Sequence, residues 1–143
     1  MNMVKLHSAV EQYNRVGVSS GVESADPHQL IQMLMNGALE KIAIAKGHME
    51  RNDISQKGGN ISWAISIIDG LRASLNVDDG GEIAQNLDDL YDYMTRRLAR
   101  ANIENNPDLL DEVSSLVRSV KGAWDQMPES SSKTNATTTA DAE

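Results

Sequence analysis

From Ile31 onward the apolar residues of this chain return at alternating steps of four and three, the spacing that lays side chains along one face of an α-helix. The first seam holds Ile31, Met35, Ala38, Ile42, Ala45 and Met49. Ahead of it Asp26 is a natural N-cap, Pro27 suits the first helical position, and Gln29 completes a capping-box pattern. Asn52 and Asp53 break the pattern, and a second seam follows in Ile54, Gly58, Ile61, Ile65, Ile68 and Leu75. The Gly58-Gly59 pair weakens its first turn, because each helix-interior glycine costs roughly 1 kcal/mol. The stretch NVDDGGE, Asn76 to Glu82, reads as a turn. A third seam holds Ile83, Leu87, Leu90, Met94, Leu98 and Ala101. Asn106 and Pro107 then stop that helix and open a fourth, with Leu110, Val113, Val117, Val120, Trp124 and Met127 on its seam.

Four helices of roughly 20 residues with short connections predict an all-α fold, an antiparallel up-down four-helix bundle. No strand-period alternation competes with this reading. The bundle is predicted over residues 26–128. Residues 1–25 read as a mobile or loosely packed N-terminal arm, with a short amphipathic piece and a Gly- and Ser-rich run. Residues 129–143, ESSSKTNATTTADAE, carry too little apolar surface to offset ordering entropy and read as a disordered tail.

Composition narrows what such a bundle does. With 40% hydrophobic residues but only 3% aromatic ones, the core must be built from Leu, Ile, Val, Ala and Met. The net charge is −8, and the one compact basic group, Arg96, Arg97 and Arg100, follows Asp88, Asp89 and Asp92. That balance argues against nucleic-acid binding. The absence of cysteine removes thiol and disulfide chemistry and fits a reducing compartment. Neither a secretory signal nor a membrane-spanning apolar run is legible, so a cytoplasmic location is expected. A di-iron bundle needs Glu-x-x-His repeats, and none occurs. His7, His28 and His48 are scattered and expected to be solvated, no phosphate-binding loop is present, and no serine has a His partner nearby in sequence. Neither enzymatic activity nor a cofactor nor a metal is expected.

Several apolar residues fall off the seams: Met33 and Ile44 on the first helix, Trp63 and Ile67 on the second, and Tyr93 on the third, about 100° from its seam. Tyr91 sits at the seam's edge. Isolated surface apolar residues are ordinary. A strip of them on helices two and three would equally make a groove for an apolar partner helix.

The stretch GGEIAQNLDDLYDYMTRRLARAN, Gly80 to Asn102, closely resembles the signature of the flagellin-specific export chaperones, the FliS family. AVEQYNRV is similar to that family's N-terminal segment with its tyrosine, SADPHQLIQMLMNGAL to its first-helix motif, and IIDGLRASLN to the end of its second helix. The resemblance spans about residues 5–127. It implies a non-enzymatic antiparallel helical bundle of the bacterial cytoplasm. The implied client is the C-terminal region of flagellin, disordered before export and helical in the filament. Binding would prevent premature polymerisation and keep flagellin competent for type III export, with an export-gate component as a further partner. Tyr13 matches the family's N-terminal tyrosine, and Tyr91 and Tyr93 match its LYDYM segment. With Trp63, Ile67, Leu71, Met94 and Leu98 they are the client-binding candidates. For Leu71, Met94 and Leu98 a core position fits equally well. Asp92 and Arg96 read as a solvated i,i+4 pair, and Arg97 and Arg100 as solvated cations. The alternative is a self-associating bundle whose outer apolar strip is a structural or regulatory interface, and both a monomer and a weak homodimer fit.

Overall fold

The computed structural model describes residues 26–127, and among these the chain forms four α-helices and no strand: α1 (Pro27–Glu50), α2 (Ile54–Ala73), α3 (Val77–Glu104) and α4 (Pro107–Asp125). The N-terminal arm with Tyr13, and the tail, lie outside the described residues.

The helix ends form where the local chemistry places them. The Asp26 carboxylate accepts from the Gln29 backbone N–H at 2.9 Å, and the Gln29 side chain accepts from the Asp26 N–H at 3.1 Å, the two halves of a capping box. Asn106 caps α4 by accepting from the Asp108 N–H, with Pro107 in the first turn. α3 ends at Asn105 in the left-handed region, φ 53°, and Asn52 turns the α1–α2 connection at φ 62°. Asparagine is one of the few side chains that tolerate that conformation.

The connections of two or three residues force sequential helices to run antiparallel. Cross-helix bonds fix the directions. Gln32 near the start of α1 donates to Asp125 at the end of α4, while Lys46 near the end of α1 pairs with Asp111 near the start of α4. Lys57 at the start of α2 donates to Asn102 and Asn105 at the end of α3, while Arg72 at the end of α2 holds Asp88 and Asp92 near the start of α3. Each helix packs on its two neighbours, α2 and α4 both touching α1 and α3. This is the antiparallel up-down four-helix bundle that the seams predict. Its core comprises Leu34, Met35, Ile42, Ile61, Ile68, Met94, Leu98, Leu110 and Val113, all fully buried.

The structure differs from the sequence reading in four places. Ile67 is not an outlier: it is 2% exposed. α2 packs against two helices and buries a face wider than one seam, taking in Ile61, Ala64, Ile67, Ile68 and Leu71. Conversely Ile54, Ile83 and Met127 lie on the predicted seams but are exposed. Ile54 is the first residue of α2, Met127 lies just past the end of α4, and Ile83 follows directly on the Gly81 redirection in α3. NVDDGGE is not a plain turn. α3 begins at Val77, makes one turn capped by the Asn76 side chain, and is redirected at Gly81, φ 61° and ψ −137°, before running on to Glu104. Finally His28 is buried, not solvated. Its ring stacks on Trp124 with centroids 5.1 Å apart, and the Trp124 indole N–H donates to the His28 carbonyl at 3.0 Å.

Candidate functional site

Tyr91 and Tyr93 stand two residues apart on α3, about 200° around the helix, so they serve opposite faces. Tyr91 is 4% exposed and part of the core cluster. Burial pushes its phenol up to about 12, because a phenolate would be stranded in an apolar environment.

Tyr93 is half-buried on the α3–α4 side, inside a charged cluster. Its hydroxyl donates to Glu112 Oε2 at 2.5 Å, and the other oxygen of that carboxylate accepts from Arg97 Nε at 2.9 Å. The guanidinium carbons of Arg97 and Arg96 lie 5.5 and 5.8 Å from the Tyr93 ring centroid, within cation–π range. Hydrogen bonds from Tyr93 and then Arg97 hold the Glu112 carboxyl below its ordinary range. The bond to Glu112 in turn raises the Tyr93 phenol.

A second network crosses from α2 to α3. Arg72 Nε donates to Asp88 at 2.7 Å and its Nη1 to Asp92 at 3.1 Å, while Asp92 also accepts from Arg96 at 2.9 Å. The expected Asp92–Arg96 pair is present but is one edge of a three-helix-turn network. Arg100 pairs with Glu104. Arg97 is thus tied across to α4 rather than simply solvated, while Arg100, 61% exposed, is solvated as expected apart from its partner one turn on.

Trp63 lies half-buried on the other side of α2, where it packs against the core cluster and Lys41 of α1 places its ammonium 4.7 Å from the ring centroid. The indole Nε1 is buried and has no hydrogen-bond partner among the described residues.

The structure therefore brings Ile67, Leu71, Tyr91, Met94 and Leu98 together in the core, at 0–4% exposure. It sets Trp63 on the α1–α2 flank and Tyr93 on the α3–α4 face. Sequence reasoning missed Lys41 and Glu112, because their contacts join helices and no local spacing announces them. It also missed Lys57, 3% exposed, whose ammonium donates to the Asn102 carbonyl at 3.0 Å and the Asn105 side chain at 2.7 Å. Among the described residues no group of three or more His, Cys, Asp or Glu side chains could hold a metal ion, and no helix is long and apolar enough to cross a membrane.

A profile of the family described as "Flagellar protein FliS" matches residues 9–131. The flagellar secretion chaperone FliSB of Pseudomonas aeruginosa is 52% identical over 117 residues, 82% of this chain and 93% of that protein. The flagellar secretion chaperone FliS of Vibrio cholerae is 42% identical over 123 residues, 86% of this chain and 90% of that protein. The Salmonella typhimurium FliS is 46% identical over 121 residues, 84% and 90% of the two chains.

Proposed function

The chain belongs to the FliS family, and on that premise we propose that it is a cytoplasmic chaperone that binds the C-terminal region of flagellin, blocks its premature polymerisation and hands it to the flagellar type III export machinery. The observation that carries this reading is the match along nearly the whole bundle to relatives named as flagellar secretion chaperones. The family is one of chaperones, and the reading assigns no catalytic step. An export-gate component is its second partner.

The energetics favour an extended interface. Ordering ~30 client residues costs ~45 kcal/mol at ~1.5 kcal/mol each. Offsetting that alone takes ~1,800 Å² of apolar burial at ~25 cal/mol per Å². Hydrogen bonds inside newly formed client helices lower the requirement. The client must still run over several helices. Side chains at 0–4% exposure offer it no surface, so Ile67, Leu71, Tyr91, Met94 and Leu98 shape the groove from beneath. The contacting atoms belong to Trp63 and Tyr93. Tyr13 keeps the role its sequence match implies, an anchor of the N-terminal arm that the client displaces.

Calorimetric titration with a flagellin C-terminal peptide, followed by circular dichroism, tests the proposal. Submicromolar binding with a large negative heat-capacity change and gained helicity is the expected outcome. Absence of binding at tens of micromolar would overturn it.

A further inference from the structure

We propose that Lys41 and Trp63 together form a carboxylate-receiving site on the α1–α2 flank, and that its ligand is an Asp or Glu side chain on the bound client segment. This rests on the chaperone reading above and names the chemistry of one contact within it.

One unmet donor and one neighbouring cation without a carboxylate carry the inference. An indole N–H can only donate, and that of Trp63 is buried without an acceptor. Buried donors are nearly always paired, so an orphan marks a place where a partner is missing. The cation is Lys41. Lys46, Arg72, Arg96, Arg97, Arg100 and Lys121 each hold a carboxylate. Lys41 meets the Trp63 ring and, among the described residues, no carboxylate. Lys41 shares that lack of a carboxylate with Arg51, Lys57 and Arg118, but of the four it alone stands over an indole ring whose N–H is also without a partner.

A carboxylate fits this pair better than a neutral acceptor. It has two oxygens, one for the indole N–H and one for the ammonium, and its charge compensates the lysine. An amide or backbone carbonyl would leave the cation unanswered. The lysine stem is flexible, so Nζ can swing from the ring face toward an incoming anion, and the buried indole N–H meets the carboxylate once the side chains over it give way. Ile44, one turn further along the same face of α1 and 36% exposed, gives the flanking client side chains an apolar footing. A charged contact at a fixed place on the bundle sets the register of the client as well as adding affinity.

The test is a double-mutant cycle by calorimetry. The protein side is wild type, Lys41→Met and Trp63→Phe, the last keeping a ring but losing the donor. The client side is a flagellin C-terminal peptide and its variants with each Asp or Glu changed singly to Asn or Gln. Each protein variant is expected to bind about tenfold more weakly, the worth of one charge-assisted hydrogen bond. One peptide substitution should cost the same and add nothing further in combination with Lys41→Met. Equal binding by wild type and both variants, or losses that are fully additive with every peptide substitution, overturns the site while leaving the chaperone reading in place. Failure of the wild-type protein to bind the peptide overturns the chaperone reading itself. Thermal unfolding followed by circular dichroism separates lost contact from lost fold, and the peptide substitutions leave the protein untouched.

Discussion

At Lys57 a side-chain ammonium does what water or a glycine cap does at most helix ends. It lies almost fully buried and satisfies the Asn102 carbonyl and the Asn105 side chain, where the negative end of the α3 dipole also favours a cation. Lys57→Met keeps the stem and deletes the donors, leaving a part-buried carbonyl unpaired. A loss of about 1–3 kcal/mol in urea-induced unfolding is expected. Tyr91 makes a second prediction. Its phenol, ordinarily near 10.0, is pushed up to about 12 by burial, so the fold holds the neutral form. The stability this represents is intact below about pH 10 and is lost as pH rises through about 12, since the unfolded chain releases the proton first. Between about pH 9 and about pH 11.5 the loss is about 2 kcal/mol, and Tyr91→Phe should remove that part of the pH dependence. Urea titrations of both proteins at the two pH values check it.

Among the elements, α3 holds the least predictable geometry. Gly80 and Gly81 serve different needs. A Cβ on Gly80 would stand 2.5 Å from the Ala84 Cβ, while Gly81 occupies φ 61°, ψ −137°, a region open essentially to glycine alone. Gly81→Ala is expected to cost about 1–3 kcal/mol and to lower helicity, read by chemical denaturation and circular dichroism. The caps at Asp26 and Asn106 and the seams of α1 and α4 were legible because caps and single-face burial are local signals, written in spacings of three and four. The Gly81 redirection was not, because a Gly-Gly pair announces freedom without saying which way the chain turns. Ile67 and Ile83 were misread for one reason: periodicity reports the direction of a side chain but not whether a neighbour stands there. The candidate site was legible only in part. Tyr91 and Tyr93 separate by face as helix geometry requires, whereas the Lys41–Trp63 and Tyr93–Glu112 contacts depend on the mutual placement of helices.

For the whole molecule, closure of the ring depends on the long-range pairing of α1 with α4. The three other neighbouring pairs follow one another in the chain, so their contacts close short loops. The α1–α4 pairing joins residues far apart, through Gln32 and Asp125, Lys46 and Asp111, and the Trp124 indole on the His28 carbonyl. Trp124→Ala removes that hydrogen bond and the stack on His28. About 2–3 kcal/mol of thermal stability should go with it, since the ring is half-buried and a fully buried one costs about 3–5 kcal/mol. The charge networks set the acid limit. Asp92 is held below its ordinary range first by Arg96, Glu112 by Tyr93 and Arg97, and Asp125 by Lys121 and Gln32. Their contribution is present above the ordinary carboxylate range and lost as pH falls through the depressed values. Asp69, raised by burial, works in the opposite sense. Unfolding midpoints should therefore fall on acidification below about pH 4, and added salt should reduce the effect at these partly exposed pairs.

The seating of Lys57 also makes it a chemical reporter. An acylating reagent added in pulses labels accessible amines at once, but the Lys57 amine only when the start of α2 separates from the end of α3. Mass spectrometry of that one peptide then times the opening of the bundle against the labelling of Lys46, whose amine lies more open on α1. A client that clamps the helices together would slow the first clock and leave the second running.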